Sequence, residues 1–350
     1  MTSKVQNNSE IVLSLKKIYY FCRMKEEVSI KLISRESDLP YFESHNFFHS
    51  VEFFRMLEAT PRLEPCMAVA EDGQGNVVAH MLTTIFYHRT LLPPAVYSHG
   101  RVYGEGEYTC DADKESIFRL FLEHITRRFD HHLCLYIEFS NLSSKMFGYE
   151  NFRKCGYFPV QWQEIHNSLH SMEPDARLTS KTQARIAEAR RHGVTSHLAA
   201  PGSKELRQAV KLIKSHFMLK PRRTIPSHEL FEKLATSNSC RIFVTKYNGH
   251  TIGTCVCIHT GGNAYMWHLA TRRKSFRLLH TDTYTVWAAL TDAYEQGMRH
   301  MYFLDAGLPF KKSPMREFVM GFGGKPVSKY RWFRFPIPWI NKIIDWLYNE

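Results

Sequence analysis

The stretch that decides the fold opens with residues 240–247, CRIFVTKY, and runs to Gly324. Residues 240–247 are β-branched and aromatic, and Asn248-Gly249 behind them supplies the two φ > 0 positions of a two-residue hairpin turn. A second strand is predicted over 251–259. Gly261-Gly262-Asn263 then turns the chain into 264–270, AYMWHLA, so three strands form an antiparallel meander. From about Leu279 the apolar residues take helical spacing, with Val286, Trp287, Leu290, Ala293 and Tyr294 on one face and Gly297 as the stop. Residues 301–305, MYFLD, read as a short buried strand. A helix precedes it, so it pairs parallel to the third strand of the meander. Where two parallel strands part, backbone N–H and C=O groups lose their ladder partners and are free for a ligand.

The rest of the chain reads as a partner for this stretch. Its 350 residues suit two domains of roughly 150 to 180 residues each. A hydrophobic fraction of 44% is ample for two cores. Lys and Arg number 46 against 34 Asp and Glu, a formal charge of +12 that favours anionic partners: nucleic acid, phosphorylated carriers or an acidic membrane surface. The eight cysteines show no regular framework, and several lie in apolar runs. They read as reduced core residues of a cytosolic protein. Residues 11–21 resemble a signal-peptide core, but Lys16-Lys17 interrupts it and no small-residue cleavage site follows; Met24 is a candidate start. No run is long and apolar enough to span a bilayer.

Residues 1–27 are read as an extension and 28–172 as a first domain. That domain carries a strand at 28–33, a helical segment at 45–57, a hairpin through Asp72-Gly73-Gln74-Gly75, and a loop-rich stretch at 91–108. An amphipathic helix at 113–130, a buried strand at 132–139 and a final edge strand beyond Gly156 complete it. The second domain, 173–335, repeats the order: a basic helix at 181–192, a strand at 194–198, helices at 204–219 and 227–237, then the meander. Residues 336–350 form an amphipathic tail. The expected fold is α/β, two copies of one unit with mixed, mostly antiparallel sheets flanked by helices.

Several segments resemble the FemABX-like aminoacyltransferases. Residues 181–194 (KTQARIAEARRHGV) are similar to the helix that opens that family's second domain. Leu230-Phe231, Tyr265-Met-Trp267, Trp287-Ala288, Asp305-Ala306-Gly307, Arg316-Glu-Phe318 and Gly321-Phe322-Gly323-Gly324 follow in the same order. In the first half Asn46-Phe47-Phe48-His-Ser50, Asp72-Gly73 and residues 97–104 (YSHGRVYG) look like the family's first domain. The resemblance covers about residues 28 to 335. It implies tandem N-acetyltransferase-type (GNAT) domains, and transfer of an acyl or aminoacyl group from an activated carrier to an amine. The named family uses aminoacyl-tRNA and builds peptide bridges on peptidoglycan precursors, while relatives of the double fold use acyl-CoA. Fold alone does not fix the reaction.

Acyl transfer to an amine needs a polarised carbonyl, an oxyanion site and a route for the leaving proton. Backbone N–H groups near Trp267, His268 and Leu269 are candidates for the oxyanion site, and Asp305, at a strand end beside Gly307, for the carboxylate that orients the amine or takes its proton. Arg272, Arg273, Lys274 and Arg277 fill the loop that ordinarily holds a carrier's pyrophosphate through glycines. Here no glycine is present, which suits a phosphate-rich donor bound by side chains. Arg101 and Tyr103 are candidate acceptor-binding residues in an inter-domain cleft, with Arg185 on the basic helix and Phe318 in the aromatic corner. His45 and His49 have an i, i+4 spacing but no third ligand, so a structural role is expected and no metal. Cys255 and Cys257 share one face of a strand. In the tail, Trp339, Ile340, Ile343, Trp346 and Leu347 make an apolar face suited to a membrane interface or to docking on the chain's own domain.

The reading is an N-acyltransferase, cytoplasmic or peripheral to the inner face of the membrane, with no tightly bound cofactor. Aminoacyl-tRNA is the favoured co-substrate and a peptidoglycan or other cell-envelope precursor the acceptor. The alternatives are an acyl-CoA-dependent enzyme acting on an amino sugar or small amine, and a non-catalytic protein that binds nucleic acid or an envelope precursor.

Overall fold

The computed structural model describes residues 28–91, 94–217, 225–272 and 277–349. Ser29–Ile33 (β1) lies beside Leu63–Glu71 (β2), which turns into Val77–Leu91 (β3) and then Pro94–Tyr103 (β4). Ahead of β2, a 3-10 turn at Phe47–His49 is followed by Val51–Glu58 (α1). The sequence suggests one helical segment there. Two are found because the Ser50 hydroxyl accepts the Phe53 N–H at 3.0 Å and starts α1 afresh. Glu107–Tyr108 (β5) pairs with β3, and Lys114–His131 (α2) crosses to Cys134–Ser140 (β6), parallel to β4. Tyr149–Lys154 (α3) leads into Phe158–Ser168 (β7).

The second half follows the same plan. Pro174–Arg177 (α4), Ser180–Arg191 (α5), Thr195–Leu198 (β8), Lys204–Phe217 (α6) and His228–Leu234 (α7) precede the meander. Its strands are Cys240–Tyr247 (β9), His250–Thr260 (β10) and Asn263–Thr271 (β11), and Asn248 and Gly249 have φ of 46° and 75° as the turn requires. Thr281–Glu295 (α8) crosses to His300–Phe303 (β12), which pairs parallel to β11 as expected. Pro314–Met320 (α9), Lys325–Arg334 (β13) and Pro338–Asn349 (α10) end the described chain.

The two halves share one sheet, in the order β1-β2-β3-β4-β6-β13-β7-β12-β11-β10-β9-β8. The last strand of each half is exchanged. β7 pairs antiparallel with β12 of the second half, and β13 is inserted between β6 and β7 of the first. Three expectations change accordingly. β7 is an interior strand, not an edge. Residues 325–334, given no element from sequence, form β13. The stretch 91–108, read as loop-rich, holds the ten-residue strand β4, whose Gly100 is there for packing: a Cβ on it would lie 2.6 Å from the Phe129 ring of α2. The N-terminal extension lies outside the described residues.

One core faces α2 and contains Phe118, Phe121, Phe129, Phe139, Phe152 and Trp332. A second faces α8, with Cys255, Cys257, Val286, Leu290, Met301 and Phe303, so the two cysteines do share a buried face. A third joins the halves, packing Phe48, Phe53, Phe54 and Leu57 against Leu206, Ile213, Leu230 and Phe231, with Tyr103 and Trp267 at its margin. Trp332 of β13 is fully buried in the first-half core, its ring 4.6 Å from Phe152 and nearly parallel to it. Trp332→Ala therefore removes a large side chain from a core encoded almost 200 residues earlier. We expect a loss of about 3–5 kcal/mol in chemical denaturation, with hydrogen exchange accelerated in α2 and α3 of the first half. Unchanged protection there would contradict the exchange.

Candidate active site

β11 and β12 pair over four residues, from Asn263 with His300 to Met266 with Phe303. β12 then stops, while β11 runs on through 267–271. On its other side β11 stays on β10, but Val256 faces His268 and Cys257 faces Met266, which leaves Trp267 as the extra residue of a β-bulge. The Arg272 N–H closes on the Ile252 carbonyl at 2.8 Å. Alternation along the ladder from that point turns the amides of Leu269 and Thr271 away from β10 and toward the opening. A cavity of about 380 Å³ occupies the opening, lined by Met266, Trp267, Leu269, Thr271, Leu304, Asp305 and Gly307 from the parted strands and by Pro314 and Met315 of α9.

The loop that carries Asp305 into this cavity is held on both sides. The Leu304 carbonyl accepts from Trp162 Nε1 of β7 at 3.1 Å and from an Arg331 guanidinium N–H of β13 at 2.7 Å. The Ala306 N–H donates to the Gln163 carbonyl at 3.0 Å, and the Gln163 N–H to the Gly307 carbonyl at 2.8 Å. Gly307 has φ of 86°, a backbone conformation that favours glycine. The exchanged strands thus fix the backbone from which Asp305 projects.

Trp267 faces the first half. Its indole N–H donates to the Tyr103 hydroxyl at 3.2 Å, and its ring stands perpendicular to those of Tyr103 and Phe48. Burial pushes the Tyr103 phenol up from its ordinary value. Arg101, two residues along the same face, lies over the Tyr103 ring at 4.6 Å. Arg101 and Arg331 converge on Glu138 at 3.3 and 3.5 Å, and Arg331 stacks on Trp162 at 4.0 Å. The floor between the halves therefore carries two guanidinium groups around the buried Glu138 carboxylate, next to the bulge.

The corresponding parallel pair of the first half is closed. β4 and β6 stay paired from Ser98 with Cys134 to Tyr103 with Ser140, and the Gly104 N–H extends the ladder onto the Ser140 carbonyl at 2.7 Å. Only the second half opens a wedge among the described residues.

Residues 176–312 match the family model for the acetyltransferase (GNAT) domain, across the half that opens. Among solved structures, FemX superposes with a TM-score of 0.60 at 9% identity, covering 90% of this chain and all of that one. The chain has the tandem GNAT fold. A tandem GNAT protein from the clavulanic acid biosynthesis pathway gives a TM-score of 0.56 at 14% identity, covering 88% of this chain and 98% of that one. L-PGS from Bacillus licheniformis gives 0.55 at 14%, covering 84% and 92%. No curated protein matches the sequence. The FemABX-like resemblance is thus carried by the tandem GNAT fold, and the domain match puts residues 176–312 with the N-acyltransferase domains.

Within the tandem GNAT fold, the predicted residues are scattered. Trp267, Asp305 and Gly307 line the cavity, and Arg101 and Tyr103 adjoin it. His268 does not line it; its ring lies against Phe231 and Trp267. Arg185, on α5, and Phe318, packed against Phe322, belong to the α8 side of the sheet, opposite Tyr103. Arg272 is exposed, while Arg273, Lys274 and the Arg277 side chain lie outside the described residues. Sequence reasoning missed Glu138, Trp162 and Arg331. A lone carboxylate in the apolar strand at 132–139 was the available signal for Glu138, and alternation of Lys329, Arg331 and Phe333 with Tyr330 and Trp332 was the signal for β13.

His49 supports the end of β4 from below. It is fully buried, and its Nδ1 and Nε2 face the backbone N–H groups of Leu82 and Gly106, each at 3.1 Å. A protonated ring would set two donors against those two N–H groups. Burial pushes its pKa down to about 3. The unfolded chain takes up a proton near pH 6.5 that the folded chain refuses until about pH 3, so His49 costs stability progressively as pH falls through that window. Urea midpoints at pH 7 and pH 4.5 should therefore differ less for His49→Gln than for the natural chain, and an equal difference would refute the assignment.

Proposed function

We propose that this protein is an N-acyltransferase that moves an acyl or aminoacyl group from an activated carrier, aminoacyl-tRNA favoured, to an amine of a peptidoglycan or other cell-envelope precursor. The observation that carries the reading is the strand end beyond the bulge at Trp267, with the Leu269 and Thr271 amides turned toward a cavity that Asp305 also lines. The donor carbonyl oxygen sits against the free N–H of the parted strand, which stabilises the negative charge that develops there. Asp305 orients the acceptor amine and takes its proton. The nitrogen attacks the carbonyl carbon, a C–N bond forms, the ester bond to the carrier breaks, and the departing oxygen is protonated.

Arg272, Arg273, Lys274 and Arg277 are assigned to the phosphates of the donor by side-chain charge. The groove floor at Arg101 and Tyr103, completed by Arg331, is assigned to an acceptor with an anionic group. Arg185 and Phe318 are less well supported in that role by their positions. Peripheral contact of the C-terminal tail with a membrane belongs to the same reading. The acetyltransferase match favours a second reading, in which acyl-CoA is the donor and a thioester is broken instead.

Asp305→Asn should lower the transfer rate by about 10²–10⁴-fold at unchanged thermal stability; undiminished transfer removes the carboxylate from the mechanism. Donor choice is read by incubating the protein with labelled aminoacyl-tRNA or labelled acetyl-CoA and a candidate amine. Label passing to the amine from acetyl-CoA alone would replace the first reading with the second, and no transfer from either would favour a binding protein.

A further inference from the structure

Helix α10 has its apolar side outward. Trp339, Ile343, Trp346 and Leu347 are 64%, 50%, 61% and 58% exposed, and Ile337 just before the helix is 43% exposed. What pins the helix to the protein is largely polar. Asn341 donates to the Gly156 carbonyl and accepts the Phe335 N–H, both at 2.9 Å, and Asp345 pairs with Arg153 at 3.1 Å. An ordinary surface helix does the reverse, burying its apolar stripe and exposing its polar one.

The character of the outward face selects what covers it. Two tryptophans flank the stripe, as in segments that rest at a membrane–water boundary. Exposed Lys342 stands within it. Around the root of the helix are Lys154 and Arg127, with side chains 71% and 68% exposed, each beside a carboxylate of its own helix: Glu150 at 3.4 Å and Glu123 at 3.9 Å. A self-complementary pairing of two copies would bring the exposed Lys342 of each toward the other across the apolar stripe. An anionic surface would neutralise Lys342 and compete with Glu150 and Glu123 for the two weakly held cations at the root.

We propose that α10 is a membrane-docking helix lying in the interface of an anionic bilayer, with Trp339, Ile343, Trp346 and Leu347 in the upper acyl region and Lys342, Lys154 and Arg127 against lipid phosphates. This gives the peripheral contact of the preceding reading a surface and a lipid class, and it is tested without turnover. The docked face also connects to the groove: Phe335 contacts Tyr136 at 6.0 Å, and Tyr136 stacks on His99 of β4 at 4.8 Å, two residues from Arg101.

The full chain is sedimented with phosphatidylcholine vesicles containing either no or about one-third phosphatidylglycerol. Binding should require the anionic lipid. Trp339→Gln combined with Trp346→Gln should weaken it by at least about tenfold, and Lys342→Glu by less and only at low salt, each with an unchanged thermal midpoint. Transfer to a water-soluble amine should not change in these variants, which separates failure here from failure of the enzymatic reading. Equal vesicle binding by the double tryptophan variant overturns the proposal. So does loss of binding on deletion of residues 1–23 with α10 intact, or a shift of the natural chain from dimer to monomer on the double substitution with no vesicle binding in either.

Discussion

Backbone pairing of the exchanged strands is the constraint on which the rest of the molecule depends. β12 is four residues long and pairs on one side with β11. Its other side is satisfied by β7, which arrives from the first half, and β7 is in turn satisfied by β13, which returns from the second. Each half lacks one strand and takes it from the other. The two units are joined by main-chain hydrogen bonds, whose buried donors and acceptors need partners.

That arrangement frees one end of one strand pair. A sheet this continuous leaves little main chain unpaired in its interior, so the departure at Met266 and Phe303 stands out against the closed β4–β6 pair. The difference traces to particular residues. In the first half, the Phe129 ring lies against Gly100, and the Gly104 N–H, at φ of 89°, extends the ladder. In the second, the bulge at Trp267 and the early end of β12 separate the strands, and α9 lines the opening between them without filling it.

Much of the second half was legible in the sequence because its signals are local. The meander, its Asn248-Gly249 turn and the helix ended by Gly297 depend on neighbours a few residues apart. The exchange was not legible, because which strand borders β12 depends on a pairing between residues about 135 positions apart, such as Tyr302 with His166. For the same reason Asp305, Trp267 and Gly307 could be placed at the cavity from their own strand ends, whereas Arg331 and Trp162 could not. Their roles depend on β13 and β7 being side by side. Arg185 looked like a companion of Arg101 by charge alone, and the sheet separates them because charge carries no information about which face a helix covers.

The single carbonyl of Leu304 gathers donors from two distant parts of the chain, Trp162 and Arg331. Its neighbour Asp305 is therefore seated by residues encoded before and after it, one in each half of the gene. A free-standing copy of the later half would keep the meander and the bulge but lose Trp162 and the strand that carries it. For the cavity the dependence runs one way: the earlier half holds the loop from which Asp305 projects, so the cavity of the later half is incomplete without the strand it borrows.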